Sequence, residues 1–174
     1  MCSMCRAKGF TILELIMAMA IIAVTAMVIV PKLMQSIPKN DVKQAAVELK
    51  YLLWEVQQKA ITEGRIRALR FDDSVSPHRY SFHYSDNDNN MQVEGTFPTR
   101  GFEDLPDNVE FGISVDQFTK NIIYDSVPKP SVRFNEFGEP NEGGTVRLVH
   151  RSATGIAYDV AVEPISGRIT VAEV

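Results

Sequence analysis

The chain reads as an α+β protein: a long N-terminal α-helix, made of a hydrophobic half and an amphipathic half, packed on an antiparallel β-rich head. Three observations carry that reading. Phe10–Val30 runs 21 residues with a single charge, Glu14. Between Val42 and Ala60 apolar residues recur at steps of three and four, the signature of a one-sided helix. After Gly64 the period changes to two, as strands with one covered face require.

The first element is short and basic. Residues 1–9 (MCSMCRAKG) end in glycine and hold both cysteines, Cys2 and Cys5. A C-x-x-C pair invites a metal or redox reading, yet it offers two ligands where a structural zinc site takes four. No later cysteine joins them. No metal and no cofactor is expected. At about 1.5 Å per residue the apolar run that follows is roughly 32 Å long, enough to cross the hydrocarbon of a bilayer.

An ordinary secretory signal fits this run poorly. Cleavage at Ala18-Met19-Ala20 would leave only Phe10–Met17 as the apolar region, with a glutamate inside it. A plain signal anchor accounts for the length but leaves Glu14 without a purpose. A carboxylate at the centre of a span costs about 2.5–3.5 kcal/mol on insertion scales, and such a residue is by default a functional one.

The segment K-G-F-T-I-L-E-L resembles the processing site of type IV pilins and of the pseudopilins of type II secretion. That resemblance implies a leader of residues 1–9, cleavage by prepilin peptidase between Gly9 and Phe10, N-methylation of Phe10, and a filament-assembly role for Glu14. Pro31 falls where many members of the family carry a helix-kinking proline. The physics of such a motif is independent of the family. Cleavage leaves a cationic α-amino group on Phe10. Within a helix Glu14, one turn on, faces the same side. Two staggered helices can then set Glu14 of one against the amine of another, which offsets the desolvation of both charges.

Pro31, Pro38 and the polar 36–41 segment permit a kink or a brief break. Asp41 with Gln44 has capping-box character if the helix restarts there. The stripe Val42, Ala45, Ala46, Leu49, Leu52, Leu53, Val56 and Ala60 then needs a head to pack on, and Trp54 is expected in the core. Gly64 is a natural stop. The divisions are thus 10–63 for the helix, with 10–30 the membrane or filament part and 39–63 the amphipathic part, and 64–174 for the head.

In the head, Tyr80, Phe82 and Tyr84 share one face of a strand, which leaves His83 facing away from the core. Met91–Phe97 alternates likewise, joined to the first strand by a polar loop at 85–90. Val109–Val115 and Ile156–Val162 alternate too, and shorter candidates lie at 66–71, 122–124, 132–134, 145–149 and 168–171. Residues 102–108 and 126–131 read as proline-containing connections. Two packed antiparallel sheets are the expected outcome.

Leu49–Phe71, VRFNEFGEPNEGGTVRL and YDVAVEPISGRITV resemble the GspH/FimT group of minor pseudopilins and pilins. Membership implies a long helix on a β-sandwich head and a minor pseudopilin of a type II secretion system. The protein would lie in the bacterial inner membrane with its head in the periplasm, and then in a periplasmic pseudopilus. The partners implied are prepilin peptidase, other major and minor pseudopilins met through the helix, inner-membrane lipid before assembly, and exoprotein cargo. Two alternatives stand beside this reading: a FimT-like minor pilin serving adhesion or DNA uptake, and an anchored binding domain that does not polymerise.

Other chemistry is weakly signalled. Asp86, Asp88 and Asn90 open like a calcium loop, but Met91 and Phe97 stand where an EF-hand needs glycine and glutamate. Arg65, Arg67 and Arg70 cluster, yet the C-terminal Gly-Arg-x-Arg element of DNA-binding FimT-type pilins is here Gly167-Arg168-Ile169-Thr170, without its second arginine. With 18 basic and 22 acidic residues the charge is −4, or −6 once Arg6 and Lys8 leave (16 against 22), which disfavours a nucleic-acid partner. His78, His83 and His150 are scattered, and no nucleophile, base and orienter can be assembled. The chain is expected not to be an enzyme.

Overall fold

The computed structural model describes residues 10–85, 92–93, 101–112, 121–124 and 127–174. Among the described residues there is one helix, α1 (Ile12–Glu63), followed by antiparallel strands. The chain divides into two units, up to Ile37 and from Pro38 onward.

In the first unit no residue of Ile12–Lys32 is buried, and this stretch is long and apolar enough to cross a membrane. Its one hydroxyl is satisfied within the helix: Thr25 Oγ1 donates to the carbonyls of Ile21 and Ile22 at 3.0 and 2.9 Å. Back-bonding of this kind removes a donor that hydrocarbon could not satisfy. Helical assignment continues through both Pro31 and Pro38 to Glu63, so the anticipated break is not made. Each proline removes one bond of the ladder. The residues on either side still hold the helix, and Asp41 therefore caps nothing.

The second unit holds β1 (Ile66–Asp72), β2 (Arg79–Ser85), β3 (Gln92–Val93), β4 (Phe102–Asp104), β5 (Val109–Phe111), β6 (Asn121–Tyr124), β7 (Val127–Phe134), β8 (Gly144–His150), β9 (Ala157–Val162) and β10 (Ile169–Glu173). One sheet has the order β3-β2-β1-β7-β6, with β4 also paired to β2; the other has the order β10-β9-β8-β5. All pairings are antiparallel.

Both sheets and α1 share one core. Val42, Leu49, Leu53 and Val56 of the helix meet Leu69, Phe71, Phe82 and Phe134 from the first sheet and Val146, Leu148 and Val160 from the second. Phe71 and Phe111 join the sheets edge to face at 5.4 Å. Each fully buried side chain of this size contributes roughly 1.5–3 kcal/mol, so the helix stripe is a main source of cohesion.

Several expectations are corrected. Residues 102–104 and 127–131 are strand, where prolines suggested connections. Pro128 and Pro130 are tolerated because that stretch of β7 pairs with β6 alone, while β1 takes up pairing only from Ser131. Alternate residues there turn their nitrogen to an unpaired side, where a missing N–H costs little. His83 is buried, with 1 % of its surface exposed. The face it shares with Ser81, Ser85, Arg70 and Arg133 is covered as well, so β2 has two dry faces. Trp54, expected inside, is 55 % exposed. Residues 86–90 of the polar loop, most of Met91–Phe97 and all of 113–115 lie outside the described residues.

Candidate functional site: the start of the helix and its grip on the head

The N-terminal site is built by local chemistry. Thr11 precedes the first helical residue, and its Oγ1 accepts the backbone N–H of Glu14 at 3.2 Å. Its carbonyl accepts the N–H of Leu15 at 3.1 Å. Thr-x-x-Glu is the capping-box pattern, with Thr11 at the cap and Glu14 three positions into the helix. The cap of α1 is thus Thr11 and not Asp41, which lies inside the helix. Phe10 is 83 % exposed and lies outside the helix, so the same-face relation to Glu14 does not extend to it. Gly9 lies outside the described residues.

Glu14 stands in the first turn, where the exposed N–H groups give the helix end a partial positive charge. A carboxylate is favoured there. A cationic amine on Phe10, one residue ahead of the cap, would add to that positive field. Glu14 thus meets the positive end of its own helix.

At its other end α1 closes on Gly64, with φ at +59°, and Arg65 donates its N–H to the Ala60 carbonyl at 3.3 Å. This is a Schellman stop, and glycine supplies the left-handed conformation it needs. Arg67 is ion-paired to Glu63, Arg65 lies 3.7 Å from the same carboxylate, and both guanidinium groups sit 5.6 Å from the Tyr84 ring centre. The arginine cluster is therefore engaged at the helix–strand junction.

One residue missed by sequence reading is Gln57. Its amide donates to the carbonyl of Gly138 at 2.8 Å and of Gly167 at 3.3 Å. Both glycines have positive φ, +79° and +64°. A Cβ on Gly138 would lie 2.6 Å from Ile61 Cδ1, and one on Gly167 would lie 2.5 Å from the Gln57 amide. The Phe-x-x-x-Gly and Ser-Gly-Arg turns are thus the two jaws that hold α1. Lys39 adds a contact to Glu173 at 2.5 Å, which raises the lysine pKa and lowers that of the carboxylate through the shared hydrogen bond.

The histidines serve as local caps. His78 Nδ1 accepts the N–H of Phe111 at 2.9 Å, and His150 Nδ1 accepts those of Ser152 and Ala153. His83 Nε2 lies 2.9 Å from Ser81 Oγ, and burial, then Arg70 and Arg133, hold its pKa down to about 4. A hollow of about 300 Å³ is lined by Glu48, Leu52, Tyr80, Asp104 and Asp107. The Tyr80 hydroxyl donates to Glu103 at 2.9 Å, and burial raises its pKa. Among the described residues no three His, Cys, Asp or Glu side chains converge as metal ligands would.

A capped, exposed apolar helix that continues into a one-sided helix packed with two antiparallel sheets gives this chain a pilin-like fold. Residues 4–30 match the family described as the prokaryotic N-terminal methylation motif. Along 164 residues the chain is 26 % identical to the competence protein ComGD of Bacillus subtilis (strain 168), covering 94 % of this chain and 92 % of that one. Its fold is similar to a structure of the minor pseudopilin EpsH from the type 2 secretion system of Vibrio cholerae. The TM-score is 0.56 at 14 % identity, over 76 % of this chain and 97 % of that one. A second EpsH structure gives 0.50 at 16 % identity, over 76 % and 94 %.

Proposed function

We propose that this chain is a membrane-anchored minor subunit of a pilin-like filament, made as a precursor and matured at its N-terminus. Prepilin peptidase cuts between Gly9 and Phe10 and methylates Phe10. Ile12–Lys32 holds the precursor in the membrane, with the head on the far side from the cytoplasm, until α1 moves into the filament among other pilin-like subunits. The observation that carries the reading is the Thr11 cap: it sets the new amine one residue ahead of the cap and Glu14 in the first turn of the helix. There Glu14 of one subunit pairs with the amine of another, because neither charge is comfortable alone in hydrocarbon. The subunit carries out no chemical step itself.

The finer assignment is to a DNA-uptake filament of the competence kind, supported by similarity to a competence protein along nearly the whole chain. The acidic balance of the chain fits a structural part better than a DNA-gripping one. A type II secretion pseudopilus is the second reading, favoured by the C-terminal segments that resemble the GspH/FimT group.

Mass spectrometry of the mature protein tests the maturation: the chain is expected to begin at N-methylated Phe10, and an intact Met1 or a start at Ile21 rejects it. Deletion of the gene separates the two filaments. A fall of about a hundredfold or more in transformation with normal protein secretion supports uptake, and the converse supports secretion.

A further inference from the structure

The exposed side of α1 in the second unit carries an order that packing against the head does not explain. Val47, Tyr51, Trp54 and Ile61 are 37 %, 64 %, 55 % and 46 % exposed, and they lie about half a turn from the buried stripe of Val42, Leu49 and Val56. With Gln44 and Gln58, both exposed, they follow steps of three and four: 44, 47, 51, 54, 58, 61. That is a heptad seam, with 44, 51 and 58 at a and 47, 54 and 61 at d. The flanks are sorted by charge. Asp41, Glu48 and Glu55 fall at e, seven residues apart, while Lys43 and Lys50 fall at g.

We propose that this face docks a second copy of the same chain as a parallel, in-register helix pair. In a parallel pair each g residue meets the e residue of the next heptad on the partner. Lys43 then faces Glu48 of the second copy and Lys50 faces its Glu55, and both contacts recur by symmetry. In an antiparallel pair g meets g and e meets e, which sets lysine against lysine and carboxylate against carboxylate. The charge order therefore selects direction as well as partner. Two copies anchored by the same N-terminal segment already run parallel.

The seam spans fewer than three heptads and has glutamine at two a positions, so free in solution it would associate weakly. Confinement to one membrane raises the effective concentration, and a weak seam then suffices. Glu55 now pairs with Lys59 on its own helix at 3.1 Å, a surface contact that exchanges at little cost. The pair asks only for a shared membrane and does not depend on the filament's task.

The test uses the full-length chain in its membrane, with Cys2 and Cys5 changed to serine and a single cysteine at Gln58→Cys. Mild oxidation is expected to give disulfide-linked dimers, at least tenfold more than from Ser152→Cys on the head. Adding Glu48→Lys and Glu55→Lys should reduce the dimer tenfold or more, and adding Lys43→Glu and Lys50→Glu to those should restore it. None of the four side chains is buried, Glu48 bordering the hollow beside Tyr80, and circular dichroism of each variant verifies the fold. Absence of the Gln58→Cys dimer, failure of the double reversal to restore it, or cross-linking to a different protein alone overturns the proposal. The N-terminus is read in the same sample: a normal start at Phe10 without the dimer sinks the helix pair and leaves the maturation standing.

Discussion

At the scale of single residues, most weight rests on Glu14. Its removal relieves a carboxylate from an apolar segment, so Glu14→Ala should leave membrane insertion equal or improved. Entry into filaments should fall at least tenfold, measured by the subunit's share of sheared or cross-linked filaments. Undiminished entry would contradict the docking role. His83 makes a different prediction. Its pKa is lowered to about 4 by burial and by Arg70 and Arg133, so the folded state holds the neutral ring. The unfolded chain binds a proton near pH 6.5, so the stabilisation is full above that value and fades as pH falls towards 4. The effect is about 3 kcal/mol at most. Thermal midpoints of the full chain in detergent should drop between pH 6.5 and 4.5, and His83→Gln should flatten that slope. The burial of His83 was not legible, because strict alternation assumes one wet face and β2 has none. The exposure of Trp54 was equally hidden: a period of three and four names an apolar face, and α1 has two.

At the scale of elements, the strands were largely readable because alternation survives wherever one face meets the core, as in Tyr158, Val160 and Val162 of β9. Their ends were less so. Proline counted against β7, although half of that strand is paired on one side alone. The helix was readable in both halves, while its continuity through Pro31 and Pro38 was not, since two lost hydrogen bonds weigh little against the ladder around them. The grip of Gln57 was invisible, because its two acceptors lie 81 and 110 residues away in sequence. Gln57→Ala should destabilise the head by about 1–2 kcal/mol, since it leaves two carbonyls without their donor. Gly138→Val should cost more, because the left-handed backbone and the Ile61 side chain both reject a branched residue. Urea unfolding of the full-length variants measures both.

At the scale of the molecule, the apolar N-terminal run and the motif at its start were legible in the sequence. Their chemistry is local: a cap, a first-turn acid and an apolar run. The surface of the head resisted reading, because what it meets is decided by side chains that share no period. Phe137 and Ile165 are 72 % and 89 % exposed at the tips of the two turns that hold Gln57. Nothing in their spacing announced it.

The jaws on Gln57 also bear on the order of synthesis. A ribosome releases α1 first and the turns at Gly138 and Gly167 nearly last, so the oily stripe of Val42, Leu49 and Val56 waits uncovered while the rest is made. A nascent or damaged head that never closes those turns leaves the stripe bare, a flag that proteases and chaperones read. Covering that stripe therefore waits on the last turns of the head to be made.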